Sequence, residues 1–304
     1  MMDGIIPVYK ERGMTSHDVV FKLRKILHTK KIGHSGTLDP NVDGVLPVAV
    51  GHATKAVEYL VNSGKIYRGA ITLGFATTTE DLDGEVIASA PVVTPFDDAT
   101  IDATLAQLTG EITQIPPMFS AVKVNGRKLY EYARAGESVE RPERHVTIGA
   151  FTQIKASEYD AQKQQQTIYF EVHASKGTYV RTLAVDFGKL LDLPATMTDL
   201  TRIKSGGFDL TQAVKLSEIA EKMEAGTVES IMFPIDRALG DIPAVDMTDA
   251  HWAKMKNGAW FGRGELDVQV PVVRMRYQDD TKALYHWDDE KYLYRPLKIF
   301  NNQD

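Results

Sequence analysis

The chain has 304 residues, and 43% of them are hydrophobic, so it can bury a sizeable core and form one large domain plus a small one. It has no cysteine, which excludes disulfides, thiolate nucleophiles and cysteine-ligated zinc, and its eight histidines are scattered without the spacing of metal ligands. No apolar stretch approaches the roughly 18 residues of a membrane span, and we expect a cytoplasmic protein.

The formal charge of −6 argues against a nucleic-acid partner, because phosphate binding needs clustered Lys and Arg. The charge is unevenly distributed, however. Residues 1–70 carry ten Lys and Arg against six Asp and Glu, a net charge of +4, so the remaining residues sum to −10. Part of the surface is therefore basic although the whole protein is acidic, and the objection weakens.

Helical and strand periodicities alternate along the first part of the chain. Residues 16–28 place apolar side chains at helical spacing behind a Ser/Thr cap, and predict an amphipathic helix whose outer face carries Lys22, Arg24 and Lys25. A glycine-rich loop, GHSGTLDPNVDG at 33–44, follows. After it, GVLPVAVG predicts a buried strand, ATKAVEYLVNSG a helix and KIYRGAITLG a second strand.

Further along, DLDG at 81–84 predicts a hairpin turn, and DDATIDATLAQLTG predicts a helix. Residues 114–146 hold six Lys and Arg against four Glu, and predict a polar binding excursion with one helix at about 127–135. Two strands then precede a helix that begins near Thr178, and residues from about 241 predict a small all-β module. Together these patterns predict an α+β fold with a mixed, largely antiparallel central sheet flanked by helices.

The loop at 33–44 presents two carboxylates, Asp39 and Asp43. In a glycine-rich loop such aspartates are usually turn formers whose side chains bond their own backbone. Pro40, however, forces Asp39 toward an extended conformation, and the loop glycines let the backbone pass close to a ligand. His34 lies just upstream, where it can contact phosphate or ribose. Two interpretations stay open: a structural turn, or a loop that presents one fixed carboxylate to a large ligand.

Two further stretches offer polar side chains at structured positions. Tyr67 shares one face of the strand KIYRGAITLG with aliphatic residues, as a core aromatic would, but its ring could instead stack on a base. In ASKGTYVRT, Tyr179 and Arg181 fall in the first turn of a helix that Thr178 can cap. Arg181 is either a structural ion-pair partner or the guanidinium that keeps a catalytic aspartate ionised.

Five segments resemble, in order and spacing, the successive motifs of the TruB family of tRNA pseudouridine-55 synthases: GHSGTLDPNVDGVLPVAVGHATK, KIYRGAITLG, IPPMFSAVKVNGRKLYEYAR, SKGTYVRTLAVDFG and DLTRIKSG. The resemblance covers roughly residues 5–240. It implies the pseudouridine-synthase fold, with a catalytic domain over 1–240 and an RNA-binding insertion at about 114–146. It also implies a small C-terminal PUA-like RNA-binding module over 241–304.

The resemblance further implies which side chains act. Asp39, in the G-T-L-D-P motif, matches the family's catalytic aspartate, Arg181 matches the arginine paired with it, and Tyr179 matches the active-site tyrosine. The implied reaction isomerises the T-loop uridine of tRNA by breaking the N1–C1′ glycosidic bond, turning the uracil and rejoining it through C5, with no metal and no cofactor. Attack at C1′, stabilisation of an oxocarbenium-like centre and proton removal at C2′ stay open as the role of Asp39.

The target uridine must be flipped out of the folded T-arm, which costs stacking energy. Matches to the family give four substrate-binding residues: His34 near the displaced bases, Tyr67 stacked on the flipped base, Tyr179 as the active-site tyrosine and Leu200 in the uracil pocket. The implied partner is the T-arm stem-loop of tRNA. We expect no membrane association, no obligate protein partner and a monomer.

The sequence departs from the family pattern at two positions. Glu11 stands in K-E-R-G where the family has the proline of K-P-x-G, which bears on how rigidly Lys10 is presented, and Asp43 stands where Thr or Ser is commoner. Two other functions stay open. One is a tRNA-binding folding chaperone whose catalysis is incidental or lost, and the other is a hydrolytic N-glycosidase that uses Asp39 and Asp43.

Overall fold

The computed structural model describes residues 2–240 and 242–301. The strands are β1 (Gly4–Lys10), β2 (Ile32–His34), β3 (Asp43–Val50), β4 (Lys65–Leu73), β5 (Phe75–Thr77), β6 (Val86–Ser89), β7 (Gly110–Gln114), β8 (Lys123–Val124), β9 (Arg127–Lys128), β10 (Arg144–Asp160), β11 (Gln165–Ala174), β12 (Ala195–Ser205), β13 (Phe208–Asp209), β14 (Ala244–Asp246), β15 (Phe261–Gly262), β16 (Val272–Tyr277), β17 (Asp280–Asp288) and β18 (Leu293–Ile299). The α-helices are α1 (Ser16–Ile26), α2 (Val57–Asn62), α3 (Asp98–Gln107), α4 (Leu129–Ala135), α5 (Val180–Leu190), α6 (Leu216–Glu224), α7 (Asp236–Leu239) and α8 (Asp249–Met255).

The chain divides into two compact units. The first combines Met1–Asn62 with Ser205–Asp304, and the second is Ser63–Lys204. Within the described ranges, no helix has both the length and the apolar character needed to cross a membrane.

In the first unit, β1 pairs antiparallel with β3 in a register that places Pro7 opposite Pro47. The Pro7 carbonyl accepts the Val214 N–H at 2.9 Å, and the Pro47 carbonyl accepts the Ser35 N–H at 3.0 Å. Proline has no N–H to donate, so it is tolerated in a strand only where its nitrogen faces away from the partner. Both carbonyls therefore turn away from the β1–β3 pair and bind other segments.

Helix α1 begins with a capping box. The Thr15 hydroxyl accepts the Asp18 N–H at 3.0 Å, and the Asp18 carboxylate accepts the Thr15 N–H at 2.8 Å. The apolar stripe of α1 packs with side chains of β1, β3 and α6 in one hydrophobic cluster. The predicted helix is confirmed, and so is its exposed basic face, which carries Lys22, Arg24 and Lys25.

Residues 244–299 form a five-stranded sheet in the order β14-β16-β17-β18-β15, with β14 parallel to β16. Helix α8 is capped by the Thr248 hydroxyl, and its Trp252 and Met255 side chains are buried in one hydrophobic cluster with side chains of this sheet. The β-rich module is confirmed, but the expectation that it is all β was wrong. Seven helical residues are too few to show a clear period in the sequence.

The β-rich sheet shares a hydrophobic cluster with the remainder of the first unit. Leu284 and Phe300 pack with Ile235 and Leu239. The Lys55 ammonium donates to the Ile299 carbonyl at 2.7 Å. These apolar and polar contacts explain why the β-rich sheet falls in the same compact unit as β1 and β3.

The second unit contains a sheet in the order β12-β4-β11-β10-β7. The β4–β11, β11–β10 and β10–β7 pairs are antiparallel, and α3 contacts β10 and α5. Phe151 and Phe170 meet edge to face with ring centroids 5.3 Å apart. β5 and β6 form the predicted hairpin, joined by residues 78–85. These features confirm the predicted mixed, largely antiparallel sheet with helices.

The excursion between β7 and β10 contains a second hairpin, β8–β9. Its turn residues Asn125 and Gly126 have φ values of 50° and 83°, the left-handed backbone that favours an Asn-Gly pair in tight hairpins. Helix α4 follows directly, which confirms the single helix predicted in this region.

Candidate active site

The glycine-rich loop at 33–44 is anchored at both ends and in the middle. β2 pairs antiparallel with the end of β3, and the Val42 N–H donates to the Asp39 carbonyl at 3.1 Å, which closes a turn. The Leu38 N–H donates to the Ser16 hydroxyl at 2.9 Å, and the side chains of Leu38 and Val42 are buried. Asp39 is half-buried within this turn. The loop is therefore an ordered element that fixes the main chain of Asp39.

A buried lysine holds the same loop from the end of β1. Lys10 is 0% exposed, and its ammonium donates to the carbonyls of Met14 at 2.7 Å, Glu11 at 3.1 Å and Pro40 at 3.1 Å. An ammonium has three donors, so these carbonyls offer one acceptor for each. Because Pro40 follows Asp39 in the chain, Lys10 fixes the main chain beside the predicted catalytic carboxylate. Glu11, in place of the family proline, contributes one of the carbonyls.

Asp43, at the start of β3, is held by the first strand. Its carboxylate accepts the Tyr9 hydroxyl at 2.8 Å and lies 3.4 Å from the Arg12 guanidinium. The hydrogen bond to Asp43 raises the pKa of the Tyr9 phenol above its ordinary value. The second departure from the family pattern is thus accompanied by a nearby cation, which compensates the added charge.

His34 ends β2 and is half-buried. Its ring Nδ1 accepts the Gly36 N–H at 3.2 Å. A neutral imidazole that accepts at Nδ1 carries its proton on Nε2. The loop therefore orients His34 as well as Asp39.

In the second unit, Tyr67 and Leu200 lie on one face of the sheet. Both side chains are buried, Tyr67 on β4 and Leu200 on the adjacent β12. A Cβ on Gly69 would come within 3.0 Å of Leu200 Cδ1 and 2.3 Å of the Asp199 carbonyl, so only glycine lets β12 approach this closely. Residues 67 and 69 point to the same face of β4, which places Leu200 on the face that carries the Tyr67 ring.

Lys65 lies on this face too, two residues before Tyr67. It is buried, and burial together with the positive charge of Arg202 lowers the pKa of its ammonium to about 8. Arg202 is itself 0% exposed and lies two residues after Leu200 on β12. Neither cation was predicted as a site residue, although Lys65 lies two residues from Tyr67 on β4 and Arg202 two residues from Leu200 on β12.

Arg181, on α5, is buried and bridges three segments of the second unit. Its guanidinium donates to the Thr79 carbonyl at 2.9 Å and to the Phe119 carbonyl at 3.0 Å, and its Nε lies 3.7 Å from the Asp81 carboxylate. Asp81 in turn bridges to Met197 of β12. The structural ion pair considered for Arg181 therefore exists, with Asp81 as partner. Pairing with Asp39 stays a prediction.

Glu80 adds a second acid next to this arrangement. Burial raises the pKa of its carboxyl, and the Arg181 guanidinium and a hydrogen bond from the Thr182 hydroxyl, 3.3 Å long, oppose that rise. The main chain of Glu80 has a φ of 66°, the left-handed region that residues other than glycine rarely adopt. Residues 78–85 thus form a constrained turn around the Arg181 side chain.

Tyr179 is positioned by Gln114, which our sequence analysis did not identify. Helix α5 starts at Val180 with Tyr179 at the N-cap, so the predicted Thr178 cap was wrong; the Thr178 hydroxyl instead donates to the Ser175 carbonyl at 3.0 Å. The buried Gln114 amide accepts the Tyr179 N–H at 3.0 Å and donates to the Tyr179 carbonyl at 3.2 Å. This two-way bond fixes the main chain where the helix begins.

Among the described residues, no group of three or more His, Asp or Glu side chains could hold a metal ion. Two family models match the chain. The model of the TruB family pseudouridylate synthase N-terminal domain matches residues 24–180, and the model of the tRNA pseudouridylate synthase B C-terminal domain matches residues 181–240.

Curated relatives match the whole length. The tRNA pseudouridine synthase B of Lactiplantibacillus plantarum is 58% identical over 304 residues, which is 99% of this chain and 99% of that protein. The protein of the same name from Levilactobacillus brevis is 57% identical over 300 residues, 98% of this chain and 99% of that protein. This chain belongs to the TruB family of pseudouridylate synthases, as its motifs predicted.

Solved structures agree on the fold. A crystal structure of a Cbf5–Nop10–Gar1 complex matches with a TM-score of 0.74 and 25% identity over 98% of this chain and 85% of that chain. A structure of an H/ACA RNP bound to a substrate RNA containing 2′-deoxyuridine matches with a TM-score of 0.72 and 23% identity, and covers the same shares. The predicted pseudouridine-synthase fold is confirmed.

Proposed function

We propose that this chain isomerises the T-loop uridine at position 55 of tRNA to pseudouridine. The observation that carries the proposal is the 58% identity over 99% of the chain with a tRNA pseudouridine synthase B. The curated relatives compared above are named as synthases, so a tRNA chaperone without catalysis is not favoured.

The reaction is an isomerisation and consumes nothing. The N1–C1′ bond breaks, the uracil turns, and a C5–C1′ bond forms; C5 then loses its proton and N1 gains one. One carboxylate suffices, because no water enters and no leaving group departs. We assign this carboxylate to Asp39, acting at C1′ or C2′ of the ribose. The support is its loop, whose main chain is fixed by Lys10 and Ser16 on either side of Asp39. A catalytic group gains from such prior positioning.

The other site residues follow from the family motifs. We assign Arg181 to pairing with the catalytic aspartate and Tyr179 to the active site around the reacting uridine. Tyr67 is assigned to stacking on the flipped base, His34 to the bases displaced by flipping, and Leu200 to the uracil pocket. Placement of Tyr67 and Leu200 on one sheet face supports a shared pocket wall. We also propose a catalytic domain over 1–240, an insertion at 114–146 that closes over the T-loop, and an RNA-binding module over 241–304.

Because the substrate is tRNA, we place the protein in the bacterial cytoplasm. We propose that it acts as a monomer without an obligate protein partner and without a metal or cofactor. The matching structure of Cbf5 also contains Nop10 and Gar1. The molar mass of the purified chain, measured by light scattering, tests whether it is a monomer.

The test is nucleoside mass spectrometry with site mapping on an unmodified tRNA transcript incubated in EDTA. We expect pseudouridine at the T-loop uridine with the wild-type chain and none with Asp39→Ala, since the reacting carboxylate is gone. Affinity for tRNA should stay within a few-fold.

Asp43→Asn is the matched control, because it removes the other carboxylate of the same loop. It should still form pseudouridine. An active Asp39→Ala variant would refute the assignment of the catalytic residue. Release of free uracil that depends on both aspartates would show an N-glycosidase, and tRNA binding without any product would favour the chaperone.

A further inference from the structure

The segment that leads into the candidate catalytic loop has an unusual charge. Residues 19–38 contain no Asp or Glu, and five cations lie between positions 22 and 31. We call these the α1 basic face: Lys22, Arg24, Lys25, Lys30 and Lys31. All five side chains are exposed, although the whole chain carries a formal charge of −6.

The cations of the α1 basic face have no ion-pair partner in the described part of the chain. Exposed lysines elsewhere do, as in the pairs Lys163–Asp160, Lys189–Asp186 and Lys254–Glu265. The acid at the start of the helix, Asp18, is bound by the Thr15 hydroxyl and N–H in the capping box. Five positive charges in ten residues, with Asp18 one helical turn before Lys22 as a nearby acid, raise the local potential and attract a polyanion.

The helix geometry puts the first three of these charges on one side. At 100° per residue, Phe21 and Lys25 lie at the centre of the solvent face of α1, with Lys22 and Arg24 on either side. Phe21 is 52% exposed, and the Lys25 ammonium lies 4.5 Å from its ring centroid. A large exposed aromatic beside unpaired cations is typical of surfaces that bind nucleic acid.

The basic face continues to the catalytic loop without interruption. After α1, the Lys31 N–H donates to the Thr29 hydroxyl at 3.3 Å, and the Lys31 carbonyl accepts the Gly51 N–H at 2.9 Å, so this turn is ordered. β2 begins at the next residue and ends at His34. Three residues of strand span about 10 Å, which puts Lys31 within one or two nucleotides of His34.

We propose that the α1 basic face binds the sugar-phosphate backbone of the substrate RNA next to the flipped uridine. The inference rests on the proposed function, since it takes RNA as the partner. Lysine and arginine on a solvent face contact phosphates without reading sequence, so the face would hold the RNA in register while the loop selects the base. Each phosphate contact releases counterions, which makes the contribution of this face salt-dependent.

The test compares two triple variants of the full chain. Lys22→Gln/Arg24→Gln/Lys25→Gln removes three charges of the α1 basic face, and glutamine has a similar helix propensity. Lys155→Gln/Lys163→Gln/Lys189→Gln removes three exposed charges that are already paired with acids. The dissociation constant of an unmodified tRNA transcript is measured from about 50 mM to about 200 mM salt, with pseudouridine formation by the wild type followed in parallel.

We expect the first variant to bind about ten-fold or more weakly at low salt, with the slope of log affinity against log salt smaller by about 2 to 3. The control variant should keep the wild-type slope, because its lysines contact protein carboxylates. Equal slopes for both variants, with product formed by the wild type, would overturn the inference alone. Absence of product from the wild type would instead overturn the proposed function.

A parallel binding measurement uses vesicles of anionic phospholipid. Weaker vesicle binding by the first variant, with unchanged tRNA affinity, would assign the face to a membrane surface and refute the RNA contact. No vesicle binding by the wild type, with the expected change in tRNA affinity, supports the contact.

Discussion

The loop at 33–44 in the first unit and the loop at 78–85 in the second unit are held in a similar way. Each is held by a buried cation from another element, Lys10 from β1 and Arg181 from α5. The Lys10 ammonium donates to three main-chain carbonyls, whereas Arg181 divides its donors between two carbonyls and the Asp81 carboxylate. A loop can thus be positioned through its main-chain carbonyls alone, and a planar guanidinium can bind a carboxylate side chain in addition.

We expect Lys10→Met to destabilise the loop at 33–44 most. The buried methionine fills similar volume but leaves the carbonyls that Lys10 binds without its donors. We expect a loss of about 3 kcal/mol or more in the free energy of unfolding, measured by urea denaturation, together with loss of activity. Lys215→Met is the control: this exposed lysine lies 3.6 Å from Glu11, and its removal should cost less than about 1 kcal/mol. A fully stable Lys10→Met variant would contradict the anchoring role.

The corresponding change for the loop at 78–85 is Arg181→Lys, which keeps the positive charge but loses the planar guanidinium with its several N–H donors. A single ammonium cannot reach the Thr79 and Phe119 carbonyls and the Asp81 carboxylate with the same geometry. We expect single-turnover pseudouridine formation to slow by about 100-fold, with a smaller effect on tRNA affinity. A wild-type rate would show that charge alone is needed at this position.

Gly84→Ala tests the loop at 78–85 by steric strain alone, because it changes no charged group. A Cβ at residue 84 would lie 2.5 Å from the Thr78 hydroxyl oxygen and 2.7 Å from the Thr79 nitrogen. We expect a cost of about 1 to 3 kcal/mol in thermal or urea unfolding, since main chain must shift. Gly264→Ala, at a site with nothing within 4 Å, is the matched control and should be close to neutral.

The smallest expected effect concerns Glu80 and pH. Burial raises the pKa of this carboxyl, so the folded chain keeps its proton to a higher pH than the unfolded chain does. The stability that this group contributes is fully present below its unfolded pKa and is lost as pH rises through the folded pKa. Glutamine cannot ionise, and its carbonyl can still accept from Thr182.

We therefore expect Glu80→Gln to lose less stability than the wild type between about pH 4 and about pH 7. Unfolding is followed by circular dichroism across that range. Glu218→Gln, which removes an exposed carboxylate on α6, should follow the wild-type curve. Identical curves for wild type and Glu80→Gln would show that the burial of Glu80 carries no cost.

Much of the fold follows from local sequence patterns. Helix α1 shows a full helical period and a capping box, and β4 shows a run of apolar residues bounded by glycines, so both were predicted. Strand β12 and helix α6 were not predicted. In β12, polar and charged residues interrupt the apolar ones without a regular alternation, so the strand is recognisable mainly through its neighbour β4.

The residues of the candidate site were likewise predicted only in part. The loop that carries Asp39 is visible as a cluster of glycines around a proline. The groups that hold it are not, because a lysine at the end of a strand suggests a solvated side chain until tertiary contacts show it buried. Gln114 reaches Tyr179 across 65 positions, so no local pattern could place the start of α5 at Val180 or identify Gln114 as its anchor.

The opposed prolines of β1 and β3 bear on folding errors. The N–H and C=O groups of successive strand residues point to opposite edges, so a shift of one residue would turn the nitrogen of Pro7 or Pro47 toward the other strand, where the missing N–H leaves a carbonyl without its donor. A misaligned pairing of β1 with β3 is thus penalised as soon as the two strands meet. The same register sets Lys10 opposite Gly44 and so brings the Lys10 ammonium to the Pro40 carbonyl, which means that two prolines far from Asp39 in the strands help to decide where its loop is anchored.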